Sequence, residues 1–149
     1  MTAIHRQVED ARNGRLDNLV ARTHSGWVIL AEAQVLRGYC LLLPDPVVGD
    51  LNALRGPARA EYLTDMAAVG DALLALTPAV RINYEILGNV EPALHAHVIP
   101  RYADEPEALR RGPIWNYDFP AAPRVDRGRD GGLMDALRAA LGAARRLAG

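Results

Sequence analysis

The chain has 149 residues, half of them hydrophobic, and a formal net charge of −1 at pH 7. That length fits one domain with an ordinary core, and so small a charge excludes binding of nucleic acid or membrane through bulk electrostatics. All 17 basic residues are arginine. This rules out a phosphate-loop lysine and a Schiff-base enzyme, but leaves guanidinium groups able to grip phosphate. Cys40 is the single cysteine, so neither an internal disulfide nor a cysteine-based zinc site can form. Its neighbours, Tyr39 and Leu41 to Leu43, suggest a buried strand and predict a packed thiol. Ser25 is the only serine and lacks a Gly-x-Ser-x-Gly setting, which argues against a serine hydrolase. No run approaches the roughly 18 apolar residues of a spanning helix, and no secretory-type apolar core opens the chain. A cytoplasmic protein is the expectation.

Ile4, Val8 and Ala11 recur at near-helical spacing before Gly14, predicting a helix over Thr2 to Asn13 with His5 on its solvated side. Leu16 to Thr23, Trp27 to Glu32 and Gly38 to Leu43 read as three short strands. Their brief connections favour an antiparallel meander. His24 marks the first turn. Gly56-Pro57 opens a long helix with an apolar stripe of Tyr62, Met66, Val69, Leu73 and Leu76, and Asp65 and Asp71 fall on its wetter side. Thr77-Pro78 ends it. Val80 to Leu87 alternates as a strand, with Arg81, Asn83 and Glu85 on one face. Gly88-Asn89 is expected to turn tightly into the next strand and form a hairpin.

That next strand carries the chemistry. In Pro92-Ala93-Leu94-His95-Ala96-His97-Val98-Ile99-Pro100-Arg101, alternation puts His95 and His97 on one face, their Cα atoms about 6.5–7 Å apart. Leu94 and Val98 face the core, and the two prolines bracket the run. Spacing alone leaves catalysis, a two-pronged metal clamp and a structural role open. A metal would need a third ligand, and none stands at a recognisable spacing.

After Arg101 the pattern is irregular. Asp104, Glu105 and Glu107 form a short acidic patch read as solvated. Ile114-Trp115-Asn116-Tyr117 is either an apolar plug over the sheet or a cover for a bound base. Arg124 to Gly132, polar and glycine-rich, reads as a mobile linker. A second helix is expected from Gly132 to Ala148, a C-terminal extension over about 131–148. Together these elements predict an α+β fold: one domain, residues 1–149, with about five antiparallel strands and flanking helices.

The histidine stretch resembles the His-φ-His-φ-His-φ-φ signature (φ apolar) of the histidine-triad superfamily of nucleotide hydrolases and transferases. Ala93 falls on the first histidine, His95 on the second and His97 on the third. Val98 and Ile99 fill the last two apolar places. The resemblance implies that His95 is the nucleophile at an α-phosphate, that His97 is its catalytic partner, and that Asn83 and Asn89 contact phosphate; Arg101, just past the strand, either adds charge at the phosphate or is a surface residue. Trp115 is a candidate base contact. Ala93 departs from the pattern at the first histidine. Glu32 is the nearest acid for a ribose, in poor register. Asn-x-x-Pro-Ala-Leu-His-Ala-His followed by Pro-Arg-Tyr looks closest to bacterial diadenosine tetraphosphate hydrolases. The resemblance therefore implies a dinucleoside polyphosphate hydrolase working through a nucleotidyl-histidine, or else a phosphoramidate hydrolase or nucleotidyl transferase. A non-catalytic nucleotide-binding module is the reading from another class. A homodimer is implied, with no required cofactor beyond a divalent cation (magnesium or manganese) accompanying the polyphosphate.

Overall fold

A computed structural model describes residues 1–149. Helix α1 (Ala3–Arg12) begins at Thr2, whose side chain caps the His5 N–H while the His5 ring reaches back to Thr2. This capping box satisfies donors that the first turn leaves orphaned. His5 is therefore a half-buried cap and not a solvated surface residue. Ile4, Val8 and Ala11 bury the inward stripe.

Strands β1 (Leu19–Arg22), β2 (Gly26–Leu30) and β3 (Cys40–Pro44) form the expected meander. Helix α2 (Gly56–Leu76) then carries the chain to the far edge, where β4 (Arg81–Glu85) lies outside β5 (Ala96–Arg101). The five-stranded sheet is antiparallel throughout, in the order β1-β2-β3-β5-β4. β4 and β5 pair as the predicted hairpin, but a ten-residue loop, Ile86 to His95, joins them in place of a tight turn at Gly88-Asn89.

Pro100 does not end β5; it pairs with Ile82 inside the strand. The ladder explains this. The Arg101 carbonyl accepts from Val80 on the β4 side, so alternation turns the Pro100 nitrogen towards β3. Pairing with β3 stops at Cys40 and Val98, so no bond is lost there.

One sheet face buries Val28, Leu30, Leu42, Ala96 and Val98 against α2 and the C-terminal helix α4 (Arg127–Ala143). Cys40 joins this core, and burial pushes its thiol up to about 12. Two predictions fail on this side. Asp65 on α2 is fully buried: it accepts from Ser25 and pairs with Arg146 at 2.7 Å. Paired burial tolerates what the helical stripe placed in water. The segment read as a linker instead starts α4, with Asp126 capping the Arg129 N–H.

The other face is covered by α1 at one end. At the other end lies the chain from Tyr102 to Phe119, which includes the four-residue helix α3 (Glu107–Arg110) and a 3-10 turn at Ile114–Asn116. The histidines lie on this face, beside that second cover. No helix is long and apolar enough to cross a membrane.

Candidate functional site

His95 stands immediately before β5 and His97 is its second residue. They share a face as predicted, with ring centroids 4.9 Å apart in an edge-to-face arrangement. The open strand face expected from alternation is mostly covered, leaving His95 9% and His97 7% exposed. His95 still borders two cavities of about 430 Å³ each. One lies over Gly49, Ile86 and Leu94. The other is shared with His97, Asn89 and Trp115.

The His95 ring is held in one tautomer. Its Nδ1 lies 2.8 Å from the Ala93 carbonyl. A carbonyl only accepts, so Nδ1 carries the proton and neutral His95 presents a lone pair at Nε2. Nε2 has no partner within the protein. The acceptor is itself fixed: the Ala93 N–H donates to Glu91, and the next N–H, that of Leu94, donates to the Val48 carbonyl. Glu91 also accepts from Ala3 at the start of α1. The Ala93 methyl packs among Ile4, Val8, Ile29 and Leu43. At the position where the signature has its first histidine, the chain thus supplies a backbone carbonyl and an apolar wedge.

His97 is oriented by a residue that sequence reasoning assigned only to packing. The buried Tyr39 hydroxyl lies 2.7 Å from His97 Nδ1 and has no other partner. Burial pushes the phenol upward and keeps it protonated. Burial, then the neighbouring His95, pulls His97 down to about 4, so its ring is neutral at pH 7. Tyr39 therefore donates to Nδ1 and His97 carries its own proton at Nε2. One histidine thus offers a lone pair and its neighbour a donor. The signal in the sequence was alternation: Tyr39 and Leu41 share a face of their segment, and β3 pairs Leu41 with His97.

Between pH 6.5 and about 4 the unfolded chain protonates at His97 and the folded one does not, so stability falls as pH falls through that window. Tyr39→Phe leaves Nδ1 without its donor and frees the tautomer. A stability loss of about 1–3 kcal/mol is expected, together with a mixed rather than single His97 tautomer by ¹⁵N NMR. An unchanged melting temperature and ring signal in that variant would show that the phenol has no positioning role.

Trp115 is 43% exposed. Its edge meets His97 at 5.1 Å and its face stacks on Phe119 at 5.4 Å. The indole N–H donates to Glu85 at 2.6 Å. The two readings of this loop divide by residue: Ile114 is the buried plug and Trp115 walls the histidine cavity.

The remaining predicted residues separate. Asn89 is exposed on the rim of that cavity. Asn83 and Arg101 line a different cavity. Arg101 is 6% exposed, and all of its donors are engaged. Nε and Nη2 reach Glu105, Nη1 reaches Asn83 and the Gly112 carbonyl, and Nη2 also reaches the carbonyls of Leu109 and Arg110. It is neither a surface residue nor a free phosphate ligand. Glu105, read as solvated, is its buried partner. Burial raises that carboxyl, but Arg101, Tyr117 and the Tyr102 N–H outweigh burial and hold it below its ordinary value. Glu32 pairs with Arg124 at the surface, away from the histidines. His24 meets the Arg145 carbonyl near the C-terminus. No three His, Cys, Asp or Glu side chains converge as a metal site.

No family model matches the chain, and no curated protein matches it. Solved structures do. A histidine triad protein from Marinobacter aquaeolei superposes with a TM-score of 0.75 at 18% identity, covering 96% of this chain and 98% of that one. One from Bradyrhizobium japonicum gives 0.72 at 22% identity, covering 83% and 90%. A hypothetical histidine triad nucleotide-binding protein from Sulfolobus tokodaii gives 0.71 at 16% identity, covering 93% of each chain. At such identities the likeness is one of fold, and the chain has the architecture of the histidine-triad proteins over most of its length.

Proposed function

We propose that the protein is a nucleotide hydrolase of the histidine-triad superfamily, cleaving dinucleoside polyphosphates of the diadenosine tetraphosphate type. The observation that carries this reading is the His95 ring. Its Nδ1 proton is given to the Ala93 carbonyl and its Nε2 is unpartnered beside a cavity. Nε2 attacks the α-phosphorus; a P–N bond forms, and the anhydride P–O bond to the leaving nucleotide breaks. His97, protonated at Nε2, donates to a phosphate oxygen or to the departing oxygen. Water then attacks phosphorus and gives a proton to His97 Nε2, which restores the donor; the P–N bond breaks and its electron pair returns to His95 Nε2. Asn89 and the Asn83 amide supply further donors, and Trp115 covers the base. A magnesium or manganese ion accompanies the polyphosphate, held by its oxygens.

Nucleoside phosphoramidate hydrolysis and nucleotidyl transfer use the same first step and differ in leaving group or acceptor. Ala93 favours a second reading, a nucleotide-binding module without turnover. Product analysis across dinucleoside polyphosphates and phosphoramidates tests both. Nucleoside monophosphate release from a dinucleoside polyphosphate supports the hydrolase. Tight nucleotide binding with no product over hours supports the module.

A homodimer is part of the proposal. β4 is a free edge strand, and Leu74, Val80 and Tyr84 are exposed beside it. Light scattering is expected to give twice the 16.2 kDa of one chain.

A further inference from the structure

Next to the histidine cavity, on the same sheet face, lies another cavity of about 460 Å³. Its walls carry Arg81, Arg101, Arg110 and Arg111 against a single carboxylate, Glu85. Arg101 is internally engaged, and Glu85 accepts the Trp115 indole N–H. Arg110 uses one nitrogen on the Ala103 carbonyl. The side chains of Arg81 and Arg111 are exposed, and their guanidinium groups make no hydrogen bond or ion pair. Arg81, Arg110 and Arg111, none of them in an ion pair, outnumber the one carboxylate of Glu85, so the formal charge of this hollow is cationic in a chain whose net charge is −1.

The ladder sets its direction. Glu85 pairs with His97 and Arg81 pairs with Arg101. Four residues of strand span about 13 Å, so the hollow begins beside His97 and runs away from it along β4. Arg81, Asn83 and Glu85 alternate onto the histidine side. A chain of phosphates anchored at His95 would meet successive guanidinium groups along this line. Guanidinium forks suit phosphate oxygens in pairs, and the Asn83 amide, whose oxygen is taken by Arg101, has only donors left to offer.

We infer that this arginine-lined cavity receives the distal phosphate groups of a polyphosphate substrate, beyond the α-phosphate held at the histidines. The inference rests on the hydrolase reading above and adds the part of the substrate that the histidine cavity does not hold. It makes phosphate number, and not the base alone, a determinant of specificity.

The test is Arg81→Gln with Arg111→Gln, two exposed side chains whose loss leaves internal contacts intact. Circular dichroism and melting temperature are expected to match the parent. KM for a dinucleoside tetraphosphate should rise at least about tenfold, while KM for adenosine 5′-phosphoramidate, which has one phosphate, stays within about twofold. Equal changes for both substrates, or none for either, overturn the inference. Inorganic tripolyphosphate separates the substrate's own phosphates from an independent anion. Competitive inhibition that weakens in the variant supports the inference, and inhibition that leaves KM unchanged overturns it. If the parent turns over neither substrate, the hydrolase reading fails on its own. The affinities for adenosine 5′-tetraphosphate and adenosine monophosphate then decide. A preference for the tetraphosphate that the double variant loses supports the cavity, and a preference it keeps rejects it.

Discussion

His95→Asn is expected to reduce kcat/KM for a dinucleoside tetraphosphate by at least about 10⁴-fold, because the group removed is the one proposed to bond to phosphorus. The amide can still meet the Ala93 carbonyl but has no basic lone pair to replace Nε2. The fold should survive. The ring makes one hydrogen bond to the protein, at 2.8 Å, and losing such a bond costs about 1 kcal/mol. For a chain of this size that is a drop of only a few degrees in melting temperature. Nucleotide affinity should change far less than turnover, since the wall of His97, Asn89 and Trp115 remains. Acid-quenched parent enzyme incubated with labelled dinucleotide should carry an acid-labile label that the variant lacks. Turnover in the variant within tenfold of the parent would end the nucleophile assignment and leave the binding-module reading standing.

That expectation rests on a division of labour between two imidazoles whose rings lie 4.9 Å apart. The carbonyl of Ala93 and the phenol of Tyr39 resolve the pair oppositely, one by accepting from Nδ1 and one by donating to it. Alanine at position 93 thus leaves the His95 tautomer untouched, because that tautomer depends on a backbone atom that any residue would provide.

Local pattern carried much of this fold and half of this site. Periodicity located α1 and α2 to within a residue or two: α1 buries one apolar stripe, and α2 buries Tyr62, Val69 and Leu73 of its stripe but adds Asp65 to them and leaves Leu76 exposed. Alternation put the two histidines, Asn83 and Glu85 on one face. It could not show that β5 would sit between β3 and β4, since strand order is set by where the long helix returns the chain. Pairings between distant residues were equally illegible. Asp65 reads as solvated until Arg146, far along the chain, arrives to neutralise it. Glycines and charges at Arg124 to Gly132 read as a linker until Asp126 caps the helix and Asp130 is buried beneath it. Tyr39 looked like core because its ring is core, with only the hydroxyl reaching the site.

Arg101→Met is expected to produce the largest loss of stability, about 3–5 kcal/mol, the cost of leaving a buried carboxylate without its partner. The Arg101 and Glu105 side chains are 7% and 2% exposed and meet at 2.9 Å. The same guanidinium holds the carbonyls of Leu109, Arg110 and Gly112, while Glu105 accepts from the Tyr117 hydroxyl at 2.6 Å. One side chain from β5 thereby pins both ends of the segment that delivers Trp115 to His97. Melting temperature should drop on the order of 10 °C, and the environment of Trp115 should loosen, shifting indole emission to the red. Replacing both partners, as Arg101→Met with Glu105→Gln, should recover part of the stability by removing the stranded charge. It should not recover the Trp115 environment, because the three carbonyls still lack their donor. Glu105 sits below its ordinary value, so the parent should also lose stability as acid protonates it. That limb of the stability curve should flatten in the double variant. A single variant that melts with the parent would mean that the loop holds itself in place, and that β5 contributes to the site through His97 alone.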